Sequence, residues 1–379
     1  MRLIAACLLL FLVSCTASKK LAGDEATNIS GLRLLSEKDA PFNLPVKETT
    51  LGGLSGIDYD AANDCYYLIC DDRSSINPAR YYTAKIAISN SRIDSVYFTN
   101  VAFLHRADGS LYPNSLQDPA HTPDPEALRY NPRTKQMVWS SEGERIIRGK
   151  DTVLEDPSII IISPDGKYVD SFPLPANLRM RASEMGPRQN EVLEGMSFSD
   201  RYRYLWLNVE GPLYEDGPRA DLTPDNPWIR LFKFDTRSKK NIAQYAYMLE
   251  PVAYPAIPST AFKVNGIPDI LSIGNNKMIV MERSFSTGRL PCTVRLFLAD
   301  MNGAENIIDN PSLKTRPTQH PVTKKLLLNM DELGIYIDNV EGMTFGPTLP
   351  NGHKTLVLVS DNNFARLERT QFFLFEIIP

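Results

Sequence analysis

The sequence has few of the residues that build thiolate metal sites, nucleophilic triads or phosphate loops. Its 379 residues include 5 cysteines and 4 histidines, and no Cys-x-x-Cys pair or Cys/His cluster suggests a zinc site. Phosphate-loop and dinucleotide-binding glycine fingerprints are absent. The stretch Gly-Leu-Ser-Gly at residues 53–56 is not a Gly-x-Ser-x-Gly nucleophile elbow and opens a predicted hairpin. This disfavours a serine-hydrolase triad.

Strong charge of one sign is also missing. The formal net charge is −4, so the chain lacks the basic field that nucleic acid requires. We therefore expect no nucleic-acid partner. The composition, with 43% hydrophobic and 23% charged residues, is that of a folded protein with a large core.

Long apolar runs are absent after residue 13. Residues 3–13 are apolar, follow Arg2 and are too short to span a bilayer, which is typical of a signal peptide. The run ends in Leu12-Val13-Ser14-Cys15, which resembles the bacterial lipobox. Cys15 is therefore predicted to carry lipid, the alternative being ordinary signal cleavage beside a chance cysteine.

These features divide the chain into a lipoprotein signal peptide (1–15, with the lipidated Cys15), a flexible tether (16–28) and one domain (29–379). We expect the domain in the bacterial cell envelope, facing the periplasm or the cell surface, with membrane contact through the lipid alone. The later cysteines are predicted to be buried small hydrophobes. Cys65 and Cys70 lie five apart in a predicted strand, so their side chains face opposite sides and cannot bond to each other. The same buried role is expected for Cys292.

A short phrase that opens a predicted strand recurs five times along the chain. A compact turn follows each phrase, and a second apolar run then ends in an acidic residue, which is typical of a β-hairpin. The phrases open at Ser55, Glu126, Glu194, Asp269 and Glu341. The closing acids are Asp71 with Asp72, then Glu142, Glu210, Glu282 and Asp361.

The spacing predicts that the opening and closing residues of each hairpin lie together. The spacing is 16 residues in the first three hairpins, and 13 and 20 residues in the fourth and fifth. Two strands and a short turn account for the common value. Because a hairpin returns to the level where it began, both acids of a repeat are expected at one end of the sheet.

One or two further strand-like runs follow each hairpin, and four strands per repeat make the blade of a β-propeller. The sequence therefore predicts an all-β propeller of about five four-stranded blades, or six if residues 299–334 hide another. The last repeat is one strand short, and residues 31–35 are predicted to close the ring. Turns within the hairpins are short, whereas long Pro-rich segments emerge on the acid side, where function is expected: 106–125, 175–191, 211–227 and 250–268.

Carboxylates that converge on one mouth repel one another, so such a ring must bind cations, hold protons or pair with arginines. Hard cations such as Ca²⁺ prefer several carboxylate, amide and carbonyl oxygens, which makes Ca²⁺ the expected cofactor. The predicted metal ligands are Asp71, Asp72, Glu126, Glu194, Glu282, Glu341 and Asp361, with Asn362 and Asn363 beside them.

The predicted catalytic residues are four. Glu142 and Glu210 would orient water, and Arg73 and Arg283, which directly follow closing acids, would hold a phosphate or carboxylate, as would Arg145. His121 precedes an opening acid and would serve as acid or base, the alternative being a solvated loop histidine. For the ring as a whole the alternative is structural: the acids cap the sheet ends and pair with the arginines.

At these phrases the chain resembles the phytase-like family, described by the esterase-like activity of phytase, whose bacterial members are exported propellers. The resemblance runs from about residue 51 to 375. It implies hydrolysis of phosphomonoesters or carboxylic esters, with phytate as the emblematic substrate. It is carried by Leu51-Gly52-Gly53-Leu54-Ser55-Gly56-Ile57, Asp124-Pro125-Glu126-Ala127-Leu128, Leu193-Glu194-Gly195-Met196, Val340-Glu341-Gly342-Met343 and Ser360-Asp361-Asn362-Asn363.

The chain lacks the Arg-His-Gly motif of histidine acid phosphatases, so phosphatase work would have to be metal-assisted. Three hypotheses remain open. The first is a monomeric Ca²⁺-dependent ester hydrolase that acts on a small ester or phosphoester. The second is a non-catalytic propeller that binds a sugar, peptide or envelope partner at the same mouth. The third is an envelope scaffold whose acids are structural.

Overall fold

The structure is a computed structural model, and its description covers residues 27–379. The predicted signal peptide, Cys15 and most of the predicted tether lie outside the described residues. Within them the chain forms five four-stranded antiparallel sheets and two small hairpins, with almost no helix. The prediction of a five-bladed, all-β propeller is confirmed.

The strands follow one another in blade order. First come β1 (Gly31–Ala40) and the small hairpin β2 (Pro45–Val46) and β3 (Thr49–Thr50). Blade 1 contains β4 (Leu54–Asp60), β5 (Cys65–Cys70), β6 (Arg80–Ser89) and β7 (Arg92–Phe103). Blade 2 contains β8 (Pro125–Asn131), β9 (Gln136–Ser141), β12 (Ser158–Ile162) and β13 (Tyr168–Ser171), with the small hairpin β10 (Glu144–Ile146) and β11 (Val153–Glu155) between its second and third strands.

The remaining blades repeat this plan. Blade 3 contains β14 (Leu193–Ser199), β15 (Tyr204–Val209), β16 (Trp228–Asp235) and β17 (Asn241–Met248). Blade 4 contains β18 (Lys263–Gly274), β19 (Lys277–Ser286), β20 (Arg289–Asp300) and β21 (Thr323–Asn329). Blade 5 contains β22 (Asn339–Phe345), β23 (Thr355–Asp361) and β24 (Thr370–Ile378). Four short 3₁₀ helices lie in the connections: Pro119–His121, Gly149–Asp151, Ala176–Leu178 and Met330–Leu333.

Strand β1 completes blade 5 as its outermost strand, as predicted. It pairs antiparallel with β24, from Gly31 opposite Ile378 to Ala40 opposite Thr370. The first and last strands of the fold are thereby joined in one sheet, so separating the chain ends would expose an open blade edge. All four strands of every blade lie within residues 27–379.

The core consists of apolar layers between neighbouring blades. Leu128 and Trp139 of blade 2 pack with Ile69 and Tyr81 of blade 1, for example, and similar clusters fill the other blade interfaces. Because both faces of a middle strand are covered, such strands read as continuous apolar runs, and every residue of β23 is buried. Cys65, Cys70 and Cys292 are buried free thiols, which confirms their predicted role as small hydrophobes.

The stretch 299–334, which was predicted as a possible sixth blade, forms no blade of its own and contributes to blades 3 and 4. Its β21 is the outer strand of blade 4, and residues 301–322 lie along the outer edge of blade 3. There the amides of Ile307 and Val322 donate to the carbonyls of Gln244 and Ala246 on β17, at 2.8 and 2.9 Å. The segment therefore covers an open sheet edge. In residues 27–379 no helix has the length and apolar character needed to cross a membrane.

The central channel is closed by one buried ion pair. Arg129 on β8 donates two hydrogen bonds of 2.8 Å to the carboxylate of Asp269 on β18. The same guanidinium donates to the carbonyls of Ile57, Met196 and Met343. Arg129 thus connects the innermost strands of all five blades.

Candidate metal centre at the acidic mouth

A bulge in each innermost strand sets the direction of the opening residue. In four blades the register between the first two strands shifts where Ser55, Glu126, Glu194 and Glu341 stand. A bulge adds an unpaired residue and re-aims side chains. Three glutamates therefore converge on the end of the channel. In blade 1 the hydroxyl of Ser55 donates a hydrogen bond of 2.8 Å to the carbonyl of Glu126.

The closing acids stand at the end of the partner strand, at the same level. Asp71, Glu142, Glu210 and Asp361 come directly after residues that pair opposite the bulges. Asp124 joins them, because its carbonyl accepts the amide of Glu142 and its side chain faces Glu126 and Glu142. We call the resulting set of eight the acidic mouth: Asp71, Asp124, Glu126, Glu142, Glu194, Glu210, Glu341 and Asp361.

Two glycines leave space for these carboxylates. A methyl group on Gly53, whose φ is +62°, would lie 2.2 Å from Oδ1 of Asp71. One on Gly266 would lie 2.8 Å from Oε1 of Glu210. Any side chain at either position would displace an acid of the mouth, and at Gly53 the backbone conformation also favours glycine.

The acids gather into two groups with metal-ligand geometry. Asp71, Glu341 and Asp361 form one group, in which one carboxylate oxygen of each lies within 4.8 Å of the others. Asp124, Glu126 and Glu142 form the second group by the same measure. Within residues 27–379 these are the groups that fit a hard cation, which prefers carboxylate oxygens.

Each group contains a buried oxygen without a hydrogen-bond donor among the described residues. Oδ2 of Asp361 and Oε2 of Glu142 are the atoms concerned, and both residues are 1% exposed. Glu142 also lies within reach of Glu194, a contact that forms a hydrogen bond only if the two carboxyls share a proton. A buried anionic oxygen must be compensated, so each group needs a proton or a cation. The residues therefore fit a calcium ion in each group.

Burial and mutual repulsion raise the pKa values of most acids of the mouth. Burial raises the pKa of Asp124 to about 7, with Arg73 partly opposing the shift. Burial, followed by the charges of neighbouring acids, holds the pKa of Asp71, Glu126 and Glu194 well above its usual range. The same causes act on Glu142 and Asp361. Without a cation, the mouth therefore keeps protons at pH values where exposed carboxyls have lost them.

The two arginines of the mouth are engaged by acids. Arg283 donates hydrogen bonds to Glu341 and, at 3.0 Å, to Glu210. Burial lowers the pKa of this guanidinium, but the charges of the two glutamates outweigh burial and raise the pKa above its usual value. Arg73 donates to Glu144 and lies 3.7 Å from Asp124. Its Nε is buried and has no hydrogen-bond partner among the described residues. Arg283 therefore positions two glutamates, whereas Arg73 retains a donor.

Three of the acids singled out in the sequence lie outside the mouth. The carboxylate of Asp72 accepts from Arg80 at 2.8 Å and from the amides of residues 75–77. Glu282 is held by Tyr247, Asn265, Lys324 and the amide of Glu250. Asp269, the predicted opening acid of blade 4, closes the channel with Arg129 instead. At the blade 4 bulge stand Ile267 and Pro268, and Ser284 occupies the closing position.

The amides and the remaining basic residues have other roles. Oδ1 of Asn362 accepts from the amides of Gly53 and Phe364, and the side chain of Asn363 donates to Glu368. Arg145 donates to the carbonyls of residues 181–183. His121 is exposed, with Nδ1 2.8 Å from Asp118. None of these side chains joins the two carboxylate groups.

The chain belongs to the family described as "Phytase-like: Esterase-like activity of phytase", which it matches over residues 49–364. The resemblance seen in the repeated phrases is thus confirmed. A search of the curated proteins finds no match.

Several solved structures are weakly similar to this chain at low sequence identity. An α-L-arabinofuranosidase from Lactobacillus brevis is 11% identical, with a TM-score of 0.46 over 85% of this chain and 90% of the other. An exo-β-1,3-galactanase from Phanerochaete chrysosporium gives the same identity and TM-score over 88% of this chain and 63% of the other. The Cps50 (Swd1) propeller domain from Myceliophthora thermophila is 10% identical, with a TM-score of 0.35 over 86% and 97%.

Proposed function

We propose that the protein is a calcium-assisted ester hydrolase of the bacterial cell envelope whose active site is the acidic mouth. The observation that carries the proposal is the pair of carboxylate groups, each with a buried oxygen that lacks a donor. Membership of a family described by esterase-like activity supports hydrolysis as the reaction class. The predicted lipid on Cys15 supports the location in the envelope.

The ligands of the two cation sites follow from the groups. Asp71, Glu341 and Asp361 would hold one ion, and Asp124, Glu126 and Glu142 the other. When bound, Ca²⁺ would supply positive charge for the ester oxygens and so make an anionic substrate acceptable to an acidic site. This also explains how a mouth with eight carboxyls and two arginines would accept a phosphoester.

The surrounding residues would bind and orient the reactants. Nε of Arg73 has no hydrogen-bond partner among the described residues and lies 3.7 Å from Asp124 of the mouth, where the guanidinium would hold an oxygen of the substrate. Glu210, fixed by Arg283 at 3.0 Å, would accept a hydrogen bond from the attacking water. Arg283 is a positioning residue in this account, because its guanidinium is occupied by Glu210, Glu341 and Asn339.

Replacing one ligand in each group tests the proposal. Glu126→Gln and Glu341→Gln each keep the side-chain shape but remove an anionic ligand, so hydrolysis of p-nitrophenyl phosphate or p-nitrophenyl acetate in Ca²⁺ should fall at least about a hundredfold. Glu37→Gln, on the exposed face of β1, makes the same chemical change outside the mouth and should leave the rate unchanged.

Other outcomes would separate the remaining hypotheses. Absence of turnover by the wild type, together with Ca²⁺ binding that both variants lose, would favour a non-catalytic binding propeller. Unchanged turnover and Ca²⁺ binding in both variants would contradict the proposal and leave a structural role for the acids.

A further inference from the structure

A cavity lies on the face opposite the acidic mouth, which we call the lower face. It is bounded by the turns 132–135, 200–203 and 236–240, which join the strands of blades 2 and 3 at their ends away from the mouth. The cavity has a volume of about 450 Å³. It stands apart from the carboxylate groups and shares no residue with them.

The cavity is lined by cationic and aromatic side chains. Four arginines line it, against one acid, Asp200. Arg133, Arg201 and Arg237 are exposed, and Arg203 forms a 2.5 Å ion pair with Asp235. The arginines are Arg133, Arg201, Arg203 and Arg237. In a chain with a net charge of −4, this concentration of guanidinium groups creates a local positive field that attracts anions.

The apolar part of the lining supplies a wall for an organic group. Phe172, Phe198 and Ile161 contribute to it, and the rings of Phe198 and Tyr202 lie 5.3 Å apart. The guanidinium carbon of Arg133 lies 6.0 Å from the centre of the Tyr202 ring. Planar guanidinium groups beside aromatic rings are suited to bidentate contact with phosphate.

An unusual turn presents part of this lining. Asp200, Arg201 and Tyr202 are three successive non-glycine residues with positive φ, at 50°, 57° and 63°. Such residues carry a conformational cost that the surrounding structure must offset. Here Thr236 helps, because its hydroxyl donates to the carbonyls of Tyr202 and Arg203 at 2.9 and 3.0 Å.

We propose that the cavity of the lower face binds an organic phosphate, with the phosphate on the arginines and its substituent against Phe172 and Phe198. Two sources supply this chemistry, a soluble phosphoester and the headgroup of an anionic phospholipid. The amide of Thr27 donates a hydrogen bond to the carbonyl of Ile273, near the end of β18 that lies away from the mouth. Thr27 therefore lies at the lower face. Twelve residues from Cys15 to Thr27 reach about 40 Å when extended, which is long enough for a membrane that holds the predicted lipid to meet the lower face.

The test uses residues 27–379 in the presence of a calcium chelator, so that phosphate cannot bind through calcium at the mouth. Phenyl phosphate is titrated by calorimetry, and vesicles of phosphatidylglycerol are compared with vesicles of phosphatidylcholine by co-sedimentation. We expect at least one anionic probe to bind, and Arg133→Ala with Arg237→Ala to weaken that binding at least about tenfold.

Matched variants identify the cause. Arg92→Ala with Lys325→Ala removes the same two charges at exposed positions that do not line the cavity, and it should leave the affinity unchanged. Arg133→Lys with Arg237→Lys keeps both charges but loses the planar guanidinium groups. This variant should therefore bind more tightly than the alanine pair and more weakly than the wild type. Binding of phenyl phosphate alone would identify a soluble ligand, and binding of phosphatidylglycerol vesicles alone a membrane headgroup.

The proposal would be overturned if the wild type bound neither anionic probe, or if the alanine pair bound as tightly as the wild type. The result is independent of hydrolysis at the mouth, because the chelator and the lower-face variants leave the acidic mouth out of the measurement.

Discussion

Replacing Arg129 by methionine should strongly destabilise the propeller. The substitution leaves the carboxylate of Asp269 buried without its cation, and both side chains are 3% exposed in the native fold. It also removes the donors to the carbonyls of Ile57, Met196 and Met343, which lie on three further blades. Breaking a buried ion pair in this way costs about 3–5 kcal/mol.

Urea unfolding of residues 27–379 measures this loss. The double variant Arg129→Met with Asp269→Asn should be less destabilised than Arg129→Met alone, because asparagine leaves no buried charge. Its single amide oxygen can still accept one of the two backbone amides, of Met343 and Ile270, that the carboxylate oxygens of Asp269 accept. Arg92→Met is the control at an exposed strand end and should change the free energy of unfolding by no more than about 0.5 kcal/mol. An Arg129→Met loss as small as that of the control would show that the ion pair does not hold the blades together.

Calcium should stabilise the protein more at pH 8 than at pH 5. Burial raises the pKa of Asp124 to about 7, and Asp71, Glu126 and Asp361 also have pKa values well above their usual range. In the unfolded chain the same carboxyls titrate near pH 4. Protonation therefore contributes stability that is fully present below about pH 4 and is lost as the pH rises through about 7.

Without calcium, the thermal midpoint should accordingly fall between pH 5 and pH 8. Calcium requires the ionised ligands, so its stabilising effect should grow over the same interval. The measurement is a thermal unfolding series at each pH, with Ca²⁺ and with chelator. Glu126→Gln lacks one titrating ligand and should show a shallower fall in chelator. A calcium effect of equal size at both pH values, or a midpoint in chelator that rises toward pH 8, would contradict this account.

The repeated phrases were sufficient to predict the fold because each blade begins with the same hairpin. In four blades the predicted opening residue stands at the strand bulge, as the structure places Glu194 and Glu341. Blade 4 is the exception. Its phrase was aligned on Asp269, although the bulge lies at Ile267 and Pro268. The spacing of 13 residues from Asp269 to Glu282, where three other hairpins have 16, was the available signal of this error.

Long-range contacts explain what the sequence could not provide. Asp124 belongs to the mouth because it lies just before β8, beside Glu126 and Glu142. In the sequence, the only sign of this role was its position in the motif Asp124-Pro125-Glu126. Arg129 stands in a strand whose neighbours are apolar, and its partner Asp269 lies 140 residues away. Asp72 resembles a closing acid in sequence, yet Arg80 holds it on the far side of the hairpin end. The pairing of Arg129 with Asp269 depends on the closed ring, whereas that of Asp72 with Arg80 lies within blade 1.

Calcium stoichiometry tests the two-site account most directly. Residues 27–379, freed of metal and titrated with Ca²⁺ by calorimetry at pH 8, should bind two ions per chain, one for each carboxylate group. Glu341→Gln and Glu126→Gln should each bind one ion, the double variant none, and Glu37→Gln two. A wild type that binds no Ca²⁺ under these conditions, or a double variant that binds as many ions as the wild type, would contradict the account.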